Sequence, residues 1–178
     1  MNSFTTAAMT FSAQNFGAKK YSRINKVLLY SLIQVAAIGL VTSWIEIAFG
    51  RELALLYIEV GNPDKEAIIK DVIGIFWVML STYFLSGIMS TLSGVLKGLG
   101  YSMVSVIATI LGVGVRVAWI FILVPIPRFH NVLFLFAAYP VSWVFTIILL
   151  SVCCVYVWRK LKIMKKAREE KLAEQPNS

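Results

Sequence analysis

From Val72 to Leu96 the chain runs 25 residues without a charged side chain. As a helix rising ~1.5 Å per residue, the stretch is roughly 37 Å long, enough to cross a hydrocarbon core of ~30 Å with some tilt. A soluble core helix needs no such length of unbroken apolar and small residues. The solvent for this chain is therefore lipid, and its backbone polar groups must be satisfied within helices or by partner helices. The expected fold class is all-α and polytopic.

The same stretch carries small polar residues in a pattern. Gly87, Ser90, Thr91, Gly94 and Gly98 recur at three- and four-residue spacing and share one face, and Gly94 and Gly98 form a GxxxG. Small residues let helix backbones approach closely in lipid, where packing rather than water exclusion drives association. Two readings stand side by side. The face is a helix–helix seam, or Thr82, Ser86 and Ser90 in addition line a polar cavity. Both require partner helices.

Those partners can be read along the chain. Residues 1–15 have the texture of a transmembrane helix but are too short to span, since roughly 17–25 residues are needed. The simplest expectation is the second half of a helix whose first half is missing; a re-entrant or interfacial segment is the alternative. Gly17 suits a left-handed helix terminus, and Lys19, Lys20, Arg23 and Lys26 follow. Full spans are expected over 27–48, 68–96, 101–125 and 132–158, with a basic tail over 159–178. Gln34 is a polar break in the first of them and a cavity-lining candidate. Leu53, Leu55, Leu56 and Ile58 suggest a short interfacial helix. Asn62, Pro63 and Asp64 are suited to N-cap, N1 and first-turn positions. They are expected to restart a helix that runs unbroken through Leu96. Gly98 and Gly100 lie in a tight turn. Pro140 removes a backbone hydrogen bond and is expected to kink the last span.

Charge placement gives orientation. The formal net charge of +8 on 178 residues sits in short blocks beside apolar spans, in a chain 58% hydrophobic, which argues for a topology signal rather than nucleic-acid binding. Twelve Lys and Arg flank one side and four the other, with Arg116 inside a span. Positive-inside logic then puts the tail, the 15–26 loop and the 97–102 turn in the cytoplasm, in a plasma or inner membrane. The tail also suits contact with anionic lipid.

Chemistry-bearing constellations are absent from the sequence. There is one His, His130, in an exterior loop, and Cys153 and Cys154 are adjacent in an apolar run. Neighbours on a helix are poorly placed to bridge, and no metal spacing exists, so they read as small packing residues. No Ser-His-acid set, phosphate loop or His/Cys cluster appears, so the chain is not expected to be an enzyme and no resident cofactor is expected.

Arg116 is the most informative single residue, because a charge at membrane depth costs roughly 2.5–3.5 kcal/mol on insertion scales and usually faces a bundle interior or cavity. It lies roughly 22 Å along its span, and Glu46 roughly 28 Å along another. Three roles stand open: an ion pair with Glu46, snorkelling to the outer interface, or a part in transport.

Several stretches then resemble one family, the MATE (multidrug and toxic compound extrusion) transporters. Gln14-Asn15-Phe-Gly17-Ala18 with Arg23 resembles their Q-N-x-G-A-x-x-x-x-R signature. Ser93-Gly94-Val-Leu-Lys97-Gly98-Leu-Gly100-Tyr-Ser102 resembles their S-G-x-L-[RK]-G-x-G-x-S turn. Tyr139-Pro140-Val-Ser142-Trp143 resembles the Y-P-x-S-W of their last helix. The resemblance implies twelve helices in two six-helix lobes. On that map this sequence is the end of helix 8 through helix 12, with the N-terminal lobe missing. It further implies efflux of amphiphilic, cationic small molecules coupled to Na⁺ or H⁺ by alternating access. One departure is clear: some members keep an acid midway along helix 10, whereas this chain reads Tyr83-Phe-Leu-Ser86-Gly87 there. Two other readings remain: a lipid-linked saccharide flippase of the same superfamily, and a non-transporting membrane subunit or gene remnant.

Overall fold

In a lipid solvent the chain must satisfy its backbone locally, and helix is what forms. The computed structural model describes residues 2–58, 64–127 and 131–173, with side chains through 167. Its helices are α1 (Asn2–Gly17), α2 (Tyr21–Ala48), α3 (Gly50–Leu55), α4 (Lys65–Leu80), α5 (Tyr83–Gly98), α6 (Ser102–Ala118), α7 (Val132–Phe136) and α8 (Ala138–Ala173), with a π turn over Trp119–Leu123. No strand occurs among the described residues. Four helical stretches are long and apolar enough to cross a membrane: Tyr21–Ala48, Lys65–Gly98, Ser102–Leu123 and Val132–Ala167. The protein is an all-α polytopic membrane protein.

The glycine face of α5 packs on α1. A Cβ on Gly94 would sit 2.7 Å from the Thr5 carbonyl oxygen, and one on Gly98 would collide with the Met9 carbonyl and lie 3.2 Å from the Ala13 nitrogen. Advancing four residues on α5 advances four on α1, so the two helices run parallel with backbones nearly touching. A second seam joins α6 and α8. Ser105, Ala108 and Gly112 are buried on α6, and a Cβ on Gly112 would collide with Thr146 Oγ1. On α8 the buried residues Ala138, Ser142, Thr146, Leu150 and Cys154 follow at four-residue steps. Ser93 and Ser105, both buried, share a hydrogen bond across the α5–α6 turn.

The apolar core gathers at one end. Ala8, Ile24, Leu92, Val95, Leu96, Leu99, Ala108, Leu150, Cys154, Val157 and Leu161 form one cluster, with Phe16, Tyr21 and Tyr101 packed against it. These residues flank the α1–α2 and α5–α6 turns and the later part of α8, where the Lys and Arg blocks lie; this is the basic end. Cys153 and Cys154 are free thiols, Cys154 buried in this cluster and Cys153 packed against it. Away from it the large apolar residues face outward, among them Leu29, Ile33, Val41, Ile107, Ile110, Ile148 and Val152, as a lipid-facing surface does.

Several local expectations change. Gly17 is not the left-handed residue ending α1. That position is Lys19, at φ 56°, because the cap is a Schellman motif: Lys20 N–H reaches Asn15 O at 2.8 Å and Lys19 N–H reaches Phe16 O at 2.9 Å. The α5 end repeats the motif with Gly100 at φ 88°, Tyr101 N–H bonding Leu96 O at 2.9 Å. The expected unbroken helix through Leu96 is interrupted at Ser81-Thr82. The Ser81 hydroxyl bonds back to Trp77 O, and Thr82 Oγ1 to Val78 O at 3.0 Å and Met79 O at 3.1 Å. Such back-bonding competes with the helical ladder and bends it. The restart expected at Asn62 and Pro63 lies outside the described residues, as do His130 and the last five residues. The interfacial helix forms over Gly50–Leu55 only. The kink at Pro140 appears as the break between α7 and α8 at Ala137, next to Phe136, whose carbonyl has no Pro140 N–H to accept.

Gly98→Leu is expected to lower stability in detergent by about 1–3 kcal/mol, because the obstacle is backbone that cannot swing away. Gly17→Ala, whose Cβ meets nothing within 4 Å, is expected to change it by less than ~1 kcal/mol in the stabilising direction. Thermal unfolding followed by circular dichroism compares the two.

Candidate functional site

The α6–α8 seam sets up the main polar feature of the spans. Gly112 lets α8 come close, and Arg116, one turn further on the same α6 face, meets α8 directly. Its Nη2 donates to Ser142 Oγ at 2.9 Å and its Nε lies 3.3 Å from the same atom. The guanidinium carbon stands 4.1 Å from the centre of the Tyr139 ring. Ser142 in turn donates to Tyr139 O at 2.8 Å, so one hydroxyl accepts from the cation and donates to its own helix, using its donor and its acceptor side. Ser142 is 1% exposed, which keeps this contact away from competing partners.

Aromatic rings extend the cluster. Trp143, itself buried, lies edge-on to Tyr139 at 6.2 Å and to Tyr83 of α5 at 6.0 Å. Phe136 stacks on Tyr139 at 6.3 Å. Nearby, Trp119 stacks on Phe134 at 4.8 Å and donates its Nε1 to the Phe134 carbonyl at 3.0 Å. The arrangement is a cation, a hydroxyl and several aromatic faces drawn from α5, α6, the π turn, α7 and α8. It can stack a planar apolar group and offer guanidinium hydrogen bonds to an acceptor. Among the described residues it contains no carboxylate, and no group of three or more His, Cys, Asp or Glu side chains is placed to hold a metal ion.

The residues singled out in the sequence are brought together only in part. Arg116 meets Ser142 and Tyr139, not Glu46; Arg51 pairs with Glu66 at 3.1 Å on an exposed surface. Tyr139, on α8, receives Arg116 because α6 and α8 share a seam and the Glu46 end of α2 is not part of it. Thr82 lies at the helix break, bonded to its own chain, one residue before Tyr83. Ser86 and Ser90 are half-buried further along α5. Gln34 is exposed and lies elsewhere, in a groove of about 440 Å³ between α1 and α2 beside Phe11, Asn15 and Tyr30. Gln14 and Asn15 sit in the α1 terminus, where Asn15 Nδ2 donates to Phe11 O at 2.8 Å; Gly17 is the last helical residue there. Gly94 and Gly98 are in the α1–α5 seam. Pro140 stands between Tyr139 and Ser142, where its break sets the start of α8.

Sequence reasoning missed Tyr83, Tyr139, Ser142 and Trp143 as members of a site. The last three were visible at offsets of three and four residues, which place them on one helix face. What was not visible was that this face meets Arg116.

Comparison with known proteins gives one match. The family model described as MatE matches residues 1–122, a stretch that includes Arg116 but not the α8 half of the cluster. No curated protein and no solved structure matches the chain.

A double-mutant cycle between Arg116→Met and Ser142→Ala, read by unfolding in detergent, is expected to give a coupling of about 1 kcal/mol, the scale of interhelical hydrogen bonds in membranes. The matching cycle between Arg116→Met and Glu46→Gln is expected to give none.

Proposed function

Because the chain belongs to the MatE family of membrane transporters, we propose that it is the C-terminal part of a secondary-active, cation-coupled multidrug efflux antiporter, contributing most of the second lobe. MatE proteins are transporters and not enzymes, and the membrane-spanning helices put this one in a bilayer. The observation that carries the efflux reading is the Arg116–Ser142–Tyr139 cluster with Trp143 and Tyr83. It is a polar and aromatic patch inside the spans, where a lipid-facing protein has no structural need of one.

Amphiphilic small molecules, including organic cations, are the proposed substrates. Tyr83 and Trp143 would take their apolar rings, and Arg116 their carbonyl or other acceptor groups. Thr82, Ser86, Ser90 and Gln34 are proposed as further wall positions of the path. Coupling to Na⁺ or H⁺ would rest on acids outside α5, since Val72–Leu96 holds no carboxylate. We place α1 as the end of helix 8 and the four spans as helices 9–12. The basic end and the C-terminus face the cytoplasm of a plasma or inner membrane, as the distribution of Lys and Arg supports.

A second reading, a lipid-linked saccharide flippase, would use Arg116 on a phosphate-bearing substrate but predicts more intramembrane basic residues than this one. The third, a non-transporting membrane subunit, needs only the glycine seams.

Proteoliposomes separate the three. The chain alone is expected to insert but to export no cationic dye, because the facing half of the path comes from the other lobe. Together with an N-terminal lobe it is expected to move the dye against an imposed Na⁺ or H⁺ gradient. Dye export by the chain alone sinks the lobe assignment. Transport of a fluorescent lipid-linked saccharide in place of the dye selects the flippase, and no transport of either selects the subunit.

A further inference from the structure

At the basic end α2 and α8 leave a cleft between them. Two cavities, about 350 Å³ and about 170 Å³, lie along it and share Trp158 and Lys162. The first is walled by Leu28 of α2 and by Cys154 and Val155 of α8 before it reaches Arg159 and Lys162. The second lies toward the ends of the helices, between Tyr21, Ser22 and Asn25 on one side and Lys162 and Lys165 on the other. Trp158 donates its indole N–H to Asn25 Oδ1 across the cleft, tying the two helices together. Three cations, Arg159, Lys162 and Lys165, are among the residues lining the two cavities.

The order of these residues matters. Eleven residues of α8 separate Cys154 from Lys165, roughly 16 Å of rise. Along that distance the wall changes from thiol and aliphatic groups to an indole and then to cations. Trp is the residue that favours the level of the lipid headgroups. An acyl chain, an interface and a phosphate follow one another over the same distance in a phospholipid. The first turn of α2 opens into the cationic part and adds the positive end of its dipole there. Basic pockets between transmembrane helices are a known way of holding anionic headgroups.

We propose that the cleft between α2 and α8 binds one anionic phospholipid, its phosphate held by Arg159, Lys162 and Lys165 and its acyl chain laid against Leu28 and Val155. The site depends on the chain spanning a membrane and not on what it transports. It differs from diffuse attraction of a basic tail to a charged surface, which needs neither an apolar wall nor a fixed indole and does not saturate at one lipid.

The test uses the full chain in detergent, titrated with brominated phosphatidylglycerol or brominated phosphatidylcholine and read by tryptophan quenching. Saturable quenching is expected with the anionic lipid at about a tenfold lower mole fraction than with the zwitterionic one. W158F is expected to remove the saturable part. R159Q/K162Q is expected to bring the anionic lipid down to the zwitterionic level, and K165Q alone to lower the preference a few-fold. Quenching by phosphatidylcholine, unchanged in these charge variants, reports that they remain folded. K20Q/K97Q removes the same charge from the same end outside the cleft and is expected to leave the preference intact. No preference in the wild type overturns the proposal, as does a preference untouched in both R159Q/K162Q and K165Q. An equal loss in K20Q/K97Q overturns it in favour of diffuse attraction. Displacement of the lipid by millimolar inorganic phosphate overturns it in favour of a soluble anion.

Discussion

Backbone-to-backbone approach at glycine is the constraint on which the rest of this structure depends. In lipid, an apolar side chain gains nothing by leaving the solvent, so helices associate through contact area and interhelical hydrogen bonds. Gly94 and Gly98 bring α5 onto the backbone of α1, and Gly112 brings α6 onto Thr146 of α8. Once those two seams are set, α5 is held between α1, α2 and α8, and the Ile24–Leu96–Leu150 cluster has walls on every side. Exchanging a glycine for a larger residue would open a gap along the whole line of contact, since a helix tilts as a unit.

The second seam is also what makes the polar cluster. Arg116 lies four residues beyond Gly112, and Ser142 four before Thr146, so the antiparallel register that joins Gly112 to Thr146 delivers the guanidinium to the hydroxyl. A charge that would cost several kcal/mol facing lipid is instead received by Ser142 and the Tyr139 ring.

The two ends of the bundle differ in kind. The basic end is regular, capped by two Schellman turns and filled by the core cluster. Away from it the spans are broken at Ser81-Thr82, widened into a π turn at Trp119–Leu123 and broken again at Ala137. Hydroxyl back-bonding accounts for the first and proline for the last. Aromatic rings gather among them around Tyr83, Trp143 and Arg116. Non-helical backbone at membrane depth is tolerated where protein or a cavity receives it, and the polar cluster lies among these breaks.

Solvent, helices and the α5 contact face follow from the residues alone. Length without charge requires helix in lipid, and small residues at three- and four-residue spacing mark a contact face whatever they contact. The stripe of Gly94 and Gly98 was therefore legible, as was the break that Pro140 imposes. The partners came only with the packing of the helices. Depth along a span is one coordinate, and it put Arg116 and Glu46 near each other; rotation about each helix axis and neighbour order supplied the other two, and they gave Arg116 to Ser142 and Tyr139. For the same reason Gln34, a cavity-lining candidate in sequence, lies in the α1–α2 groove and not beside Arg116. The left-handed cap fell to Lys19 rather than Gly17 because the hydrogen-bond closure of the turn, not the identity of the nearest glycine, chooses the residue that takes positive φ.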